Sequence, residues 1–153
     1  MTVVDERSRV PTLDATSLER LAAALDQKGV VAATLIGSHA RGSAGPLSDV
    51  DIGVWHEPGL DSSALLRLRL SLARTAAQAL GTQEVDIVPL NSATPLMRHR
   101  AIRDGQRLIE RDPKMRVRLE TKAIIEYLDT APLRAELARG QRKRMEEGRF
   151  GRR

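Results

Sequence analysis

The segment that most restricts the fold is residues 49–55, Asp-Val-Asp-Ile-Gly-Val-Trp. Val50, Ile52 and Val54 alternate with Asp49, Asp51 and Gly53, and alternation with a period of two marks a strand that turns one face to a core. A helix would spread the same apolar side chains around its circumference. The segment therefore reads as a strand with an apolar back and an acidic front, with Trp55 on the acidic side. Asp49 and Asp51 then stand roughly 6.5–7 Å apart along the strand.

Two further segments carry strand signals. Residues 30–37, VVAATLIG, form a short run rich in β-branched residues between glycines and read as a buried strand. Residues 84–90, EVDIVPL, repeat the alternation, with Val85 and Ile87 on one face and Glu84, Asp86 and Val88 on the other. Pro89 limits further ladder pairing there. Helical signals surround these strands. Thr16 to Glu19 has capping-box spacing, Leu18, Leu21, Ala22 and Leu25 recur at helical intervals, and Lys28 and Gly29 supply a cationic last turn and a stop. Leu60 to Leu80 predicts a long helix starting at Asp61 or Ser62 and ending at Gly81.

Beyond these, Thr94 to Asp104 reads as a helix closed by Gly105, and Arg107 to Arg111 as a short edge strand. Asp112 to Asp129 shows an apolar stripe of Met115, Leu119, Ile124, Ile125 and Leu128, and a last helix is expected from about Pro132 to Glu146. The expected fold is α/β: a small mixed sheet of three or four strands, helices packed on one face and the acids on the other. A chain of 153 residues suits one domain. It is placed at 1–146, with a core of about 16–110, C-terminal helices over 112–146, and a disordered basic tail at 147–153.

Composition removes several classes of function. With no cysteine, disulfides, thiolate metal sites and thiol catalysis are excluded. Aromatic residues make up 2% of the chain, too few for base-stacking platforms, so nucleic acid is not the expected partner. No apolar run reaches the roughly 18 residues of a membrane span, and MTVVDERSRV has charges where a signal peptide needs apolar residues. The expected address is the cytoplasm. Residues 1–97 hold 8 Lys/Arg against 11 Asp/Glu, and residues 98–153 hold 17 against 9. The basic second half is thus the half suited to an acidic partner.

The chemistry-bearing residues gather around the acidic strand. Asp49 and Asp51 share a face, and Asp86 joins them if its strand lies alongside. Left unneutralised, three carboxylates would repel a triphosphate, which implies hard divalent ions bound through oxygen; a pair of magnesium ions fits. Gly37 and Ser38 end the first strand, where a missing side chain and a small hydroxyl let backbone amides approach a phosphate. Glu84 shares a face with Asp86 and rivals it as third ligand. Arg41, beside Gly42, suits either phosphate contact or loop anchoring. Ser48 suits a turn cap before Asp49, and His39 reads as a solvated histidine.

Taken singly, a Gly-Ser after a strand is a turn and an Asp-x-Asp is a solvated strand end. The ordered set is more specific: GSHARG, five residues, SDVDIGV, a helix, then EVDIVPL. That order resembles the DNA polymerase β-like nucleotidyltransferase superfamily, and within it the minimal nucleotidyltransferases (MNT), over residues 18–90. The resemblance implies a polymerase β-like core, phosphate contacts from Gly37 and Ser38, with Arg41 and Ser48 as further nucleotide-binding candidates, and two Mg2+ held by Asp49, Asp51 and Asp86. It also implies AMP transfer from ATP to a hydroxyl, with Asp86 helping to activate the acceptor.

Residues 95–129, PLMRHRAIRDGQRLIERDPKMRVRLETKAIIEYLD, resemble the ending of MNT antitoxins paired with HEPN ribonuclease toxins. This resemblance implies that the acceptor is a toxin tyrosine and that the antitoxin and toxin associate. Two readings compete with it. One is neutralisation by binding alone. The other is a small-molecule transferase of the aminoglycoside type, a class that usually carries an added helical domain with an acidic pocket, unlike this short basic second half.

Overall fold

The computed structural model describes residues 13–45 and 48–148; residues 149–153, most of the expected tail, lie outside them. Strands β1 (Val30–Ile36), β2 (Val50–His56), β3 (Val85–Pro89) and β4 (Gln106–Glu110) form one sheet in the order β3-β2-β1-β4. β1 runs antiparallel to both β2 and β4, while β2 and β3 are parallel. The expected mixed sheet is present, with the expected edge strand as β4.

Six helices accompany it among the described residues: α1 (Ala15–Leu25), α2 (Gly37–Ala40), α3 (Ser62–Leu80), α4 (Pro95–Asp104), α5 (Pro113–Asp129) and α6 (Ala131–Glu146). The start of α1 differs from the capping-box expectation. Asp14, not Thr16, is the N-cap, and its carboxylate accepts from the Ser17 amide at 2.7 Å; an aspartate placed there meets the free amides of the first turn directly. The helix ends at Leu25, so Lys28 lies past its last turn. The Asp61 cap and left-handed Gly81 stop of α3 are as expected, and Thr94 and Asp112 cap α4 and α5.

Val50, Ile52, Val54 and Ile87 pack with Leu21 and Leu25 of α1 and Leu68, Leu72 and Ala76 of α3. This is the apolar back that the alternation specifies. The acidic side is not bare, because α4 and α5 cover part of it, burying Val31, Ile36, Trp55 and Leu90 against Ala101 and Ala123. Trp55 is only 2% exposed. β2 therefore turns a carboxylate and a tryptophan to the same side at different depths. Its far end is sealed by helices, and its near end, at Asp51, opens into a cleft. Close packing requires glycine where α4 turns into β4: a Cβ on Gly105 would meet the Ala101 carbonyl and Thr34 Cγ2, each at 2.3 Å.

The long apolar stripe expected on α5 is divided. Met115 and Leu119 pack against the second core, but Ile124, Ile125 and Leu128 remain exposed. Among the described residues no helix is long and apolar enough to cross a membrane.

Candidate active site

Parallel pairing of β2 with β3 sets Val50 opposite Val85, Ile52 opposite Ile87, and Asp51 opposite Asp86. Because side chains alternate in step on paired strands, these two carboxylates stand side by side on the acidic face. Asp49 lies one residue before the start of β2 and is exposed. Its charge still reaches Asp51, whose carboxyl is held above the usual carboxylate range by burial first, then by the charges of Asp86 and Asp49. The charges of His39 and Arg41 act in the opposite direction without reversing the shift.

Gly37 joins β1 to the single turn of α2. Its φ of +71° lies in the left-handed region, and a Cβ there would come within 2.5 Å of Asp51 Oδ2. The backbone thus passes directly against the carboxylate, which only a residue without a side chain allows. Arg41 C-caps α2. His39 Nε2 lies 3.2 Å from the Ser48 carbonyl, and Ser48 Oγ accepts from the Gly45 amide at 2.8 Å. These two side chains therefore brace the loop ahead of Asp49. Glu84 is exposed at the foot of β3, where its carbonyl accepts from the Val50 amide.

A cleft of about 230 Å³ brings together Gly37, Arg41, Asp51 and Asp86. Ser38, Ser48, Asp49 and Glu84 are not among its lining residues. Its far wall is α4, which supplies Met97, Arg100 and Asp104, three residues that sequence reasoning did not single out. Asp104 is clamped by Arg103, with Nε and a terminal nitrogen each 2.7 Å from a carboxylate oxygen. That bond, with smaller help from the charges of Arg41 and His99, holds the Asp104 carboxyl below its usual range. The only advance signal for α4 was its place after the third strand, because helical periodicity says nothing about which exposed residues face a cleft.

Among the described residues no group of three or more carboxylate, imidazole or thiol side chains is drawn together tightly enough to enclose a metal by itself. The donor chemistry nevertheless suits a hard cation. The cleft presents carboxylate oxygens, and the burial and neighbouring negative charge that disfavour ionisation of Asp51 are what a bound positive charge would offset. Magnesium commonly takes one or two carboxylates and completes its shell with phosphate oxygens and water.

The Asp51 shift has a measurable consequence. A carboxyl harder to ionise in the fold than in the unfolded chain favours the fold while protonated, and loses that contribution as pH rises through its folded value. Without divalent cation, Asp51→Asn is therefore expected to raise Tm at pH 7 by about 1–3 °C, a figure kept small because Asp51 is partly solvated. The gain should fade towards pH 4. A lower Tm for the variant at pH 7 would contradict this account of the site.

Comparisons with known proteins agree with this geometry. Residues 19–114 match the family model described as polymerase beta, nucleotidyltransferase. No curated protein matches the chain by sequence. Among solved structures, a chain of a toxin-antitoxin complex with AMP-PNP is 26% identical, with a TM-score of 0.63, covering 80% of this chain and 98% of that one. A chain of a mutant form of the toxin-antitoxin MntA-HpeT is 25% identical, with a TM-score of 0.62 and coverage of 84% and 98%. A chain of the complex between tri-AMPylated Shewanella oneidensis HEPN toxin and an MNT antitoxin shares the fold at 23% identity, with a TM-score of 0.58 and coverage of 81% and 96%.

Proposed function

Since this chain belongs to the polymerase beta nucleotidyltransferase family, we propose that it transfers AMP from ATP to a tyrosine hydroxyl of a HEPN ribonuclease toxin, and so acts as the antitoxin of the pair. The observation that carries the reading is the register that sets Asp51 beside Asp86, in a cleft where Gly37 lies against the same carboxylate. The solved relatives support the acceptor class: the chains matched at 25–26% identity come from toxin-antitoxin complexes, one of them holding an ATP analogue.

In this reading Asp49, Asp51 and Asp86 hold two magnesium ions, which when bound neutralise the triphosphate and stabilise charge on the entering and leaving oxygens. Gly37 and Ser38 offer the first-turn amides of α2, which a helix leaves without internal partners, to phosphate oxygens. The acceptor oxygen forms a bond to the α-phosphorus, the bond from that phosphorus to the bridging oxygen breaks, and pyrophosphate leaves. Asp86, the more exposed of the paired acids, takes the hydroxyl proton. Arg41 and Arg100 line the same cleft as the carboxylates and would balance phosphate charge that the magnesium ions leave unmet.

Arg100 therefore has a role that can be read separately. Arg100→Ala is expected to raise KM for ATP about tenfold with a smaller change in kcat, and Arg100→Lys to recover part of the loss. Unchanged steady-state kinetics would remove it from the nucleotide site.

The reading as a whole is tested with ATP labelled on the α-phosphate, magnesium and purified toxin. Label should appear on a toxin tyrosine as ribonuclease activity falls. If the toxin is silenced while all label stays in nucleotide, neutralisation is by binding and the transferase reading is wrong.

A further inference from the structure

We infer that the exposed face shared by α5 and α6 is the docking surface for the acceptor protein, and that the acceptor meets it with an acidic surface carrying an apolar ridge. This rests on the reading of the cleft as a transferase site acting on a protein. α5 buries Ala123 on one side and leaves Val117, Ile124, Ile125 and Leu128 exposed on the other, with Ile125 at 54% and Leu128 at 61%. Their spacing places them on one stripe. α6 follows directly, runs for 16 residues and buries none of them; Leu133 and Leu137 are 60% and 59% exposed. A helix of this length is marginal in water without a packed face, and an apolar surface of this extent marks an interaction site.

Charge selects the occupant. Residues 131–146, which form α6, carry five Lys/Arg against two Asp/Glu. On α5 a shallow groove formed by Val117, Thr121 and Ile125 is rimmed by Arg118 and Lys122, while Glu126 on the same rim is engaged by Arg98 at 2.5 Å. A second copy of this chain would bring two cationic faces together, which disfavours self-association here. Nucleic acid would satisfy the charge but not the leucines and isoleucines. The single tyrosine, Tyr127, is also unavailable for base stacking: its ring lies 3.8 Å from the His99 ring, with the Arg134 guanidinium 3.6 Å from its centroid. An acidic amphipathic protein surface satisfies both requirements.

The same stack ties this face to the cleft. Arg134 of α6 also bonds the Tyr127 carbonyl and Thr130 Oγ1, and His99 precedes the cleft residue Arg100 on α4. A protein seated on α5 and α6 is thus one helix away from the carboxylates.

The test is calorimetric binding of the purified HEPN partner to the full chain. Ile125→Glu with Leu133→Glu changes two solvent-exposed positions and is expected to weaken binding at least about 100-fold. Arg142→Glu with Lys143→Glu is expected to weaken it about tenfold and to flatten its salt dependence. Both double variants should bind an ATP analogue as the wild type does. Partner binding at wild-type affinity by the I125E/L133E variant would overturn the inference and leave the transferase reading intact. So would a wild-type dimer in light scattering that this variant dissolves, or tight binding of single-stranded RNA lost in the same variants. Loss of partner binding in the variants, with no label transferred by wild type, would support the docking surface and sink the transferase reading. A wild-type chain that does not bind the partner would overturn the inference and the assigned partner, leaving AMP transfer to be judged by the label.

Discussion

Replacing Asp49 and Asp51 together by alanine is expected to lower AMP transfer by at least about a thousandfold, because preorganised charge stabilisation at the reacting phosphorus is commonly the largest single contribution to catalysis. Asp51 pairs with Asp86 across two neighbouring strands, and Asp49 stands within electrostatic reach of it. Asp51 is the one carboxylate that β2 carries, so no neighbour on the strand can take its place. The fold should survive, since Asp49 is solvent-accessible and Asp51 is destabilised in its charged form. The check is the rate of label transfer from α-labelled ATP, with circular dichroism confirming equal helix content. A well-folded double variant that retains more than about a tenth of the activity would mean the chemistry lies elsewhere. Intact toxin neutralisation by a variant that transfers nothing would separate binding from catalysis.

Gly37→Ala is expected to cost about 100-fold in transfer rate, the size of effect produced by ångström-scale misplacement of a reacting group. Two penalties act at this position: the backbone is left-handed, and the new Cβ would meet Asp51 Oδ2 at 2.5 Å. Gly42 separates them. Its φ is +68°, nearly that of Gly37, but a Cβ there meets nothing within 4 Å. Both alanine variants should lose about 1 kcal/mol of stability from backbone strain, and only the Gly37 variant should lose activity beyond that. Equal activity in the two, measured at saturating magnesium and ATP, would mean that the close approach of Gly37 to Asp51 has no catalytic consequence.

Much of this architecture is legible in the sequence. The alternation at 50–54 and 85–88 specified both strands and their core faces, and the caps at Asp61, Thr94 and Asp112 marked three helix starts to within a residue or two. The start of α1 differs because Thr16 and Glu19 have capping-box spacing while the stronger acceptor, Asp14, sits two residues earlier. Alternation puts Trp55 on the acidic side but carries no sign that helices cover that side. Alternation states which way a side chain points; it does not state what arrives from elsewhere in the chain to bury it.

Local geometry follows from the chain's own residues: the strand that carries Asp51, the glycine that follows β1, and the basic excess at the C-terminus. These follow from period, turn chemistry and composition, all of them properties of neighbouring residues. The tertiary structure alone decided that β3 lies parallel to β2 with Asp86 level with Asp51, that α4 walls the cleft with Arg100 and Asp104, and that α6 buries nothing. Those outcomes depend on contacts between segments far apart in sequence, whose register and packing are settled only when one shared core forms.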